Sequence, residues 1–446
     1  MLKKYFKVAI IFVLAFALNS ASPAILAFIG QVGGESTTIA LTLWTMSIIL
    51  GAGWACAEYS KGTVFPSFTL QLLVGIVLHD ALAPLSNEVT LIVVICTVLA
   101  AIILKSGGDE VERRHFKHIA LPTILVSTLG YFVTFFVMLF LLLAVGIDSH
   151  TAMLISAIIG STDPAALIPT LNNIVFSERY KNLTNISIAE SAINDATGAI
   201  FTGAVILMLQ NGTDVSSLGK IFWGVFEKHN LVHFGLEVLF GIIAGCIGWL
   251  FMWIYERHKA CSCETSYDFA VILAVPVFTF LVAWFMGGNG FLAAFISGLM
   301  ANYNHGNKNF EKTLAVMEMK IDSIAKPTIF MMAGPLISIS DLWQTAGMGL
   351  VISLLFMLVV RPIAVFVSLA FVRMSIKEKL FLSSIRETGV IPIVLAVGAV
   401  AQFPNLTTLM PLVAWVVIWT LTLLPAVTPW WARTLGLTDT QAETKF

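Results

Sequence analysis

Residues 156–209 read SAIIGSTDPAALIPTLNNIVFSERYKNLTNISIAESAINDATGAIFTGAVILML. Two apolar segments flank a short basic loop, and both hold carboxylates. The first contains Thr162-Asp163-Pro164, the second Glu190-Ser191-Ala192-Ile193-Asn194-Asp195. An ionisable side chain inside a membrane-spanning helix is costly to bury and marks an ion or proton path. Whether these segments span a membrane is answered by the rest of the chain.

Of the 446 residues, 58% are hydrophobic and 11% charged, with a mean hydropathy of +0.91. Soluble domains carry about 25% charged residues, so the composition is that of an integral membrane protein made mostly of spans. The formal net charge of −1 is uninformative about partners, and no basic stretch interleaved with aromatics points to nucleic acid. Five cysteines are scattered (Cys56, Cys96, Cys246, Cys261, Cys263). Cys261-Ser-Cys263 is tighter than the spacing of about two to four residues usual for a zinc pair.

Working outward, residues 1–24 have the form of a signal peptide: Lys3, Lys4 and Lys7, then an apolar run and a small-residue exit. The alternative is an extra helix continuing to Ile29. Thirteen further apolar segments follow, at about 36–56, 64–79, 88–104, 118–146, 151–171, 184–209, 229–255, 266–286, 288–302, 324–339, 344–372, 378–401 and 407–431. If the first starts outside, the inner connections and tail hold 17 Lys and Arg, Lys105 among them, against Lys220 and Lys228 outside. That asymmetry sets an outside start and a cytoplasmic end. The membrane domain spans 25–433, and 434–446 is a cytoplasmic tail. The outer loop 210–230 includes a stretch around Phe222 and Trp223 that suits either a surface-lying amphipathic helix or an ordinary connector.

Two segments are interrupted. Ser161-Thr162-Asp163-Pro164 sits in the fifth, and Arg386-Glu387-Thr388-Gly389-Val390-Ile391-Pro392 in the twelfth. Proline removes a backbone donor and clashes with the preceding turn, and glycine relaxes the backbone, so both helices are expected to unwind there. Seven segments apart, they fall at matching places of two six-span repeats. Broken helices so placed indicate an inverted-repeat transporter with its site near the midplane. Asp163 and Arg386 are placed to balance the partial charges of the half-helix ends.

In the sixth segment, Ser191 and Asp195 share a helical face, and Glu190 and Asn194 share the adjacent one. Asp195 and Ser191 can then face Asp163 across the break. An oxygen-only donor set with no His or Cys suits a hard cation such as Na⁺ and argues against a transition metal. The same carboxylates can take protons, so a cation and H⁺ exclude one another at one site. Asn194 either holds the unwound backbone near Thr162 or touches the cation. Glu190 and Arg361 read as a buried structural ion pair, with a second proton carrier as the alternative. Lys326 is expected to snorkel to the inner surface.

At these residues the sequence resembles the cation–proton antiporters, specifically the NhaP-type branch related to animal sodium/proton exchangers. The matching pieces are Thr162-Asp163-Pro164, Glu190-Ser191-x-x-Asn194-Asp195, the run from Asn289 to Gly298, Arg361-Pro362 and the Arg386 segment. The resemblance implies a homodimer of protomers with about 13 transmembrane helices, two of them broken and crossing near the midplane. A mobile core, about 88–209 and 324–401, would move against dimerisation helices. It implies the main ion and proton role for Asp195, coordination by Asp163 and Ser191, a backbone contribution from Thr162, and pairing of Glu190 with Arg361. Asn194-Asp195, rather than two aspartates, resembles the electroneutral branch exchanging one cation per proton. Two features depart from the pattern. Lys105 stands near the end of the third span, where some relatives have an acid, and Glu387 follows Arg386, where relatives commonly show Arg-Gly.

The expectation is therefore an antiporter of Na⁺ (or Li⁺) against H⁺ in a bacterial inner membrane, with no cofactor and no enzymatic activity. K⁺/H⁺ exchange is the nearest alternative. An intramembrane aspartyl protease is more distant, because no Gly-x-Gly-Asp run is present.

Overall fold

The computed structural model describes residues 2–31, 34–63, 65–86, 88–111, 113–261, 269–301 and 308–439, and all that follows concerns these. The Cys261-Ser-Cys263 run lies outside the residues whose side chains are described, as do Lys3, Lys4, Arg113, Arg114, Lys117, Lys308, Lys312 and Lys445.

The chain is helical throughout its first half: α1 (Leu2–Gly30), α2 (Gly34–Ser60), α3 (Ser67–Val77), α4 (Ala83–Ser86), α5 (Val89–Asp109), α6 (Arg113–Ser127), α7 (Leu129–Ala144), α8 (Ser149–Ile158), α9 (Pro164–Asn172) and α10 (Asn182–Gln210). The second half continues with α11 (Leu218–Val225), α12 (Lys228–Cys261), α13 (Phe269–Met286), α14 (Gly290–Ala301), α15 (Lys308–Ala333) and α16 (Ile339–Gln344). It closes with α17 (Ala346–Leu355), α18 (Arg361–Ser368), α19 (Ile376–Ser384), α20 (Val390–Gln402) and α21 (Leu409–Thr434). Among the described residues, nine helices are long and apolar enough to cross a membrane, and four shorter apolar ones accompany them. In hydrocarbon every backbone polar group needs an internal partner, which is why an all-helical bundle results.

Both interruptions read from the sequence are breaks in the structure. The fifth span is α8 and α9 separated by residues 159–163, with Pro164 opening the second half. Proline fits there because the first helical residue has no intrahelical donor to lose. The twelfth is α19 and α20, separated by residues 385–389. A π-helical turn, Phe356–Val360, joins α17 to α18 immediately before Arg361.

Two expectations change. The charged stretch after residue 302, read as a connection, is helical from Lys308 onward and runs unbroken into the apolar part of α15. Lys105 is inside α5 and 1% exposed, not in an inner loop. Within the 434–446 segment, residues 437–439 are tied to the stretch 175–177. Leu437 is buried, Ser177 donates its backbone N–H to the Leu437 carbonyl (3.0 Å), and Asp439 donates to that of Val175 (2.9 Å).

At the other end, α1 is continuous through residues 19–24, and the Asn19 Oδ1 accepts the backbone N–H groups of Asp80 (2.8 Å) and Ala81 (3.0 Å). The outer loop forms α11, with Ile221 buried beneath it and Trp223 exposed.

Candidate functional site

The two breaks cross. Asp163 donates its backbone N–H to the Glu387 carbonyl across the crossing (3.0 Å). The Asp163 carbonyl accepts from Leu167, so this residue begins α9, and its carboxylate sits at the positive end of that half-helix. On the other break, Thr388 contacts Thr420 of α21 through both its hydroxyl and its N–H, which fixes the unwound backbone.

The negative half-helix ends are each met by an arginine. Arg386 donates to the Gly160 carbonyl beyond α8. Arg361 donates to the carbonyls of Leu382 (3.0 Å) and Ile385 (3.5 Å) at the end of α19. Both guanidinium groups also reach Glu190 of α10, Arg361 to Oε2 at 2.8 Å and Arg386 to Oε1 at 3.0 Å. With about half a negative charge at each helix C-terminus, two arginines, one carboxylate and two helix ends sum to roughly zero. Glu190 is thus engaged twice, where the sequence suggested a single partner.

One face further round α10, Asp195 Oδ1 accepts the Ser161 hydroxyl of the first break. Asn194 donates to Glu190 Oε1 (2.8 Å) and not to the backbone near Thr162, and its own Oδ1 is buried without a donor. The hydroxyl oxygens of Thr162 and Ser191 are likewise buried and unbonded. Five residues that the sequence singled out, Thr162 and Asp163 of the first break and Ser191, Asn194 and Asp195 of α10, are all buried.

Lys326 does not snorkel. It is 4% exposed, with its Nζ 3.5 Å from Asp163 Oδ1 and 3.0 Å from Asp322 Oδ2. The unexpected helix in the first part of α15 explains this, because it puts Glu318, Asp322 and Lys326 four residues apart on one face. Glu318 in turn takes Lys105 (2.6 Å), which also holds Asp109 (2.5 Å).

Sequence reading gave no role to Ser161 or Tyr131. The Tyr131 hydroxyl donates to the Ala157 carbonyl near the end of α8, and its ring lies against Gly160 and Gly198. A lone tyrosine in the otherwise apolar α7 was the available signal.

A family model described as sodium/hydrogen exchanger, transmembrane, matches residues 45–434. The chain belongs to the sodium/hydrogen exchanger family. The exchanger family is one of transporters, and this member is an integral membrane protein. A K(+)/H(+) antiporter NhaP2 of Shewanella oneidensis is 29% identical over 304 residues, 67% of this chain and 49% of its own length. The Na(+)/H(+) antiporter 1 of Methanocaldococcus jannaschii is 25% identical over 370 residues, 79% of this chain and 81% of its own. The chain spans about half the length of the NhaP2 relatives it matches. The solved sodium proton antiporter MjNhaP1 from Methanocaldococcus jannaschii superposes with a TM-score of 0.74 at 20% identity, over 90% of this chain and 98% of that one. The inverted-repeat antiporter fold is therefore that of this chain.

Proposed function

We propose that this exchanger is a secondary active antiporter that moves Na⁺ (or Li⁺) against H⁺ by alternating access. The observation that carries this reading is the contact of Ser161 with Asp195, made between a break and a helix that also hold the buried oxygens of Thr162, Ser191 and Asn194, none of which accepts a hydrogen bond. Unbonded buried oxygens cost about 1–3 kcal/mol each, and an alkali cation bound among them removes that cost. Asp195 is the carboxylate that alternates between cation and proton. Asp163 and Ser191 complete the cation's shell, with Thr162 and Asn194 contributing oxygens. Glu190, Arg361 and Arg386, balanced in charge only together with the two half-helix ends, hold the breaks together without exchanging anything. One alternating carboxylate gives one proton per cation, hence electroneutral exchange.

The working unit is a homodimer in a bacterial inner membrane with its C-terminus cytoplasmic, as the distribution of Lys and Arg supports. A K⁺/H⁺ exchanger is the second reading, favoured by the relatives described as K(+)/H(+) antiporters.

Reconstitution into proteoliposomes containing a pH dye tests both. Cation-driven proton flux, measured with Na⁺, Li⁺ and K⁺ in turn, is expected for wild type and absent for Asp195→Asn. Flux in Asp195→Asn equal to wild type would overturn the assignment, and a response to K⁺ alone would select the second reading.

A further inference from the structure

Lys326 lies between two carboxylates that are not equivalent. It is 3.5 Å from Asp163, a residue of the crossing, and 3.0 Å from Asp322, one turn earlier on its own helix. The second oxygen of Asp322, Oδ1, is buried and accepts no hydrogen bond. The next acid along this face, Glu318, is already held by Lys105. Residues four apart on a helix are neighbours, and the ammonium already stands nearer Asp322 than Asp163, so giving up Asp163 requires no movement of α15. In either position a buried ammonium has a carboxylate partner, which matters because an unpaired buried charge costs several kcal/mol.

We propose that Lys326 is the resident counter-ion of Asp163, and that the transported cation displaces its ammonium onto Asp322. This rests on the antiport reading above and adds a specificity-determining pair to it. No covalent step is involved, and Nζ keeps its proton throughout, so the ammonium is a competitor for Asp163 and carries nothing across. Asp163 remains neutralised when the cation leaves. Asp322 sets how easily the ammonium is given up. The cation's apparent affinity is then reduced by the fraction of molecules in which Lys326 still holds Asp163.

The two partners must therefore act in opposite directions. In proteoliposomes at fixed pH, Lys326→Gln is expected to lower the apparent KM for Na⁺ by about tenfold, since the competitor is gone. Asp322→Asn is expected to raise it by about tenfold, since the ammonium loses its second seat. Lys326→Arg, which keeps the charge, should stay nearer wild type than Lys326→Gln.

A second measurement needs only folded protein: the Na⁺ concentration giving half-maximal thermal stabilisation in detergent should move the same two ways. Loss of a merely structural ion pair would shift both variants alike. Shifts in one direction, or none in folded variants while wild type exchanges normally, would overturn this proposal alone. Absence of cation-driven flux in wild type would overturn the antiport reading itself.

Discussion

A Cβ on Gly389 would lie 2.0 Å from the Cβ of Asp163. The two breaks therefore meet with no room for any side chain between them at this point. Together with the N–H of Asp163 on the Glu387 carbonyl, this contact sets where the Asp163 carboxylate stands relative to α10. Gly389 has a negative φ (−120), outside the left-handed region that favours glycine, and the requirement seen here is one of space.

Gly389→Ala should consequently be far more harmful than its size suggests. Overpacking a close contact costs about 1–3 kcal/mol, and relief requires the Asp163 backbone to move. Melting temperature should fall and cation-driven proton flux should drop at least about tenfold, as expected when a reacting group is displaced by about 1 Å. Gly398, on the same half-helix, has nothing within 4 Å of its Cβ position. Gly398→Ala should be neutral or stabilising by about 0.5–1 kcal/mol, because alanine favours a helix interior over glycine. Equal behaviour of the two variants in melting and flux would contradict the geometry.

Glu190 offers a test of charge balance. Glu190→Gln leaves Arg361 and Arg386 buried beside each other with only helix carbonyls for compensation. Removing one partner of a buried pair costs about 3–5 kcal/mol. Arg361→Ala should lose a similar amount. Lys181→Ala breaks an exposed pair with Glu178, for which about 0–1 kcal/mol is expected. Thermal unfolding in detergent ranks the three, and melting temperatures equal to that of Lys181→Ala would remove the clamp.

Much of this architecture was readable because its signals are local. Pro164, Gly389 and charges inside apolar runs announce two breaks, and carboxylates at 163 and 195 stand out against their surroundings. The part that escaped reading depends on charges that carry their own partners. Hydropathy counts Glu318, Asp322 and Lys105 as reasons to leave the bilayer, yet each is paired, Glu318 with Lys105 across two helices and Asp322 with Lys326 on its own. The first half of α15 therefore looked like a connection, and Lys326, at its edge, looked free to reach water. The four-residue spacing of Glu318, Asp322 and Lys326 was the overlooked signal. Ser161 and Tyr131 were silent for another reason. Their acceptors, Asp195 and the Ala157 carbonyl, are brought near only by the crossing of the helices.

Glu387 provides the last prediction. It is 1% exposed, and neither carboxylate oxygen accepts a hydrogen bond. The nearby guanidinium groups are already engaged by Glu190, so no ion pair offsets the burial of this acid among the described residues. Its backbone carbonyl, by contrast, does structural work by accepting from Asp163, and that role survives any side-chain change. Replacing an unsatisfied buried polar group by an apolar one of similar shape is neutral or stabilising. Glu387→Met should thus raise the unfolding free energy by about 1–3 kcal/mol, seen as a higher melting temperature in detergent. A lower melting temperature for Glu387→Met across the pH range would mean that the carboxylate has a stabilising partner after all.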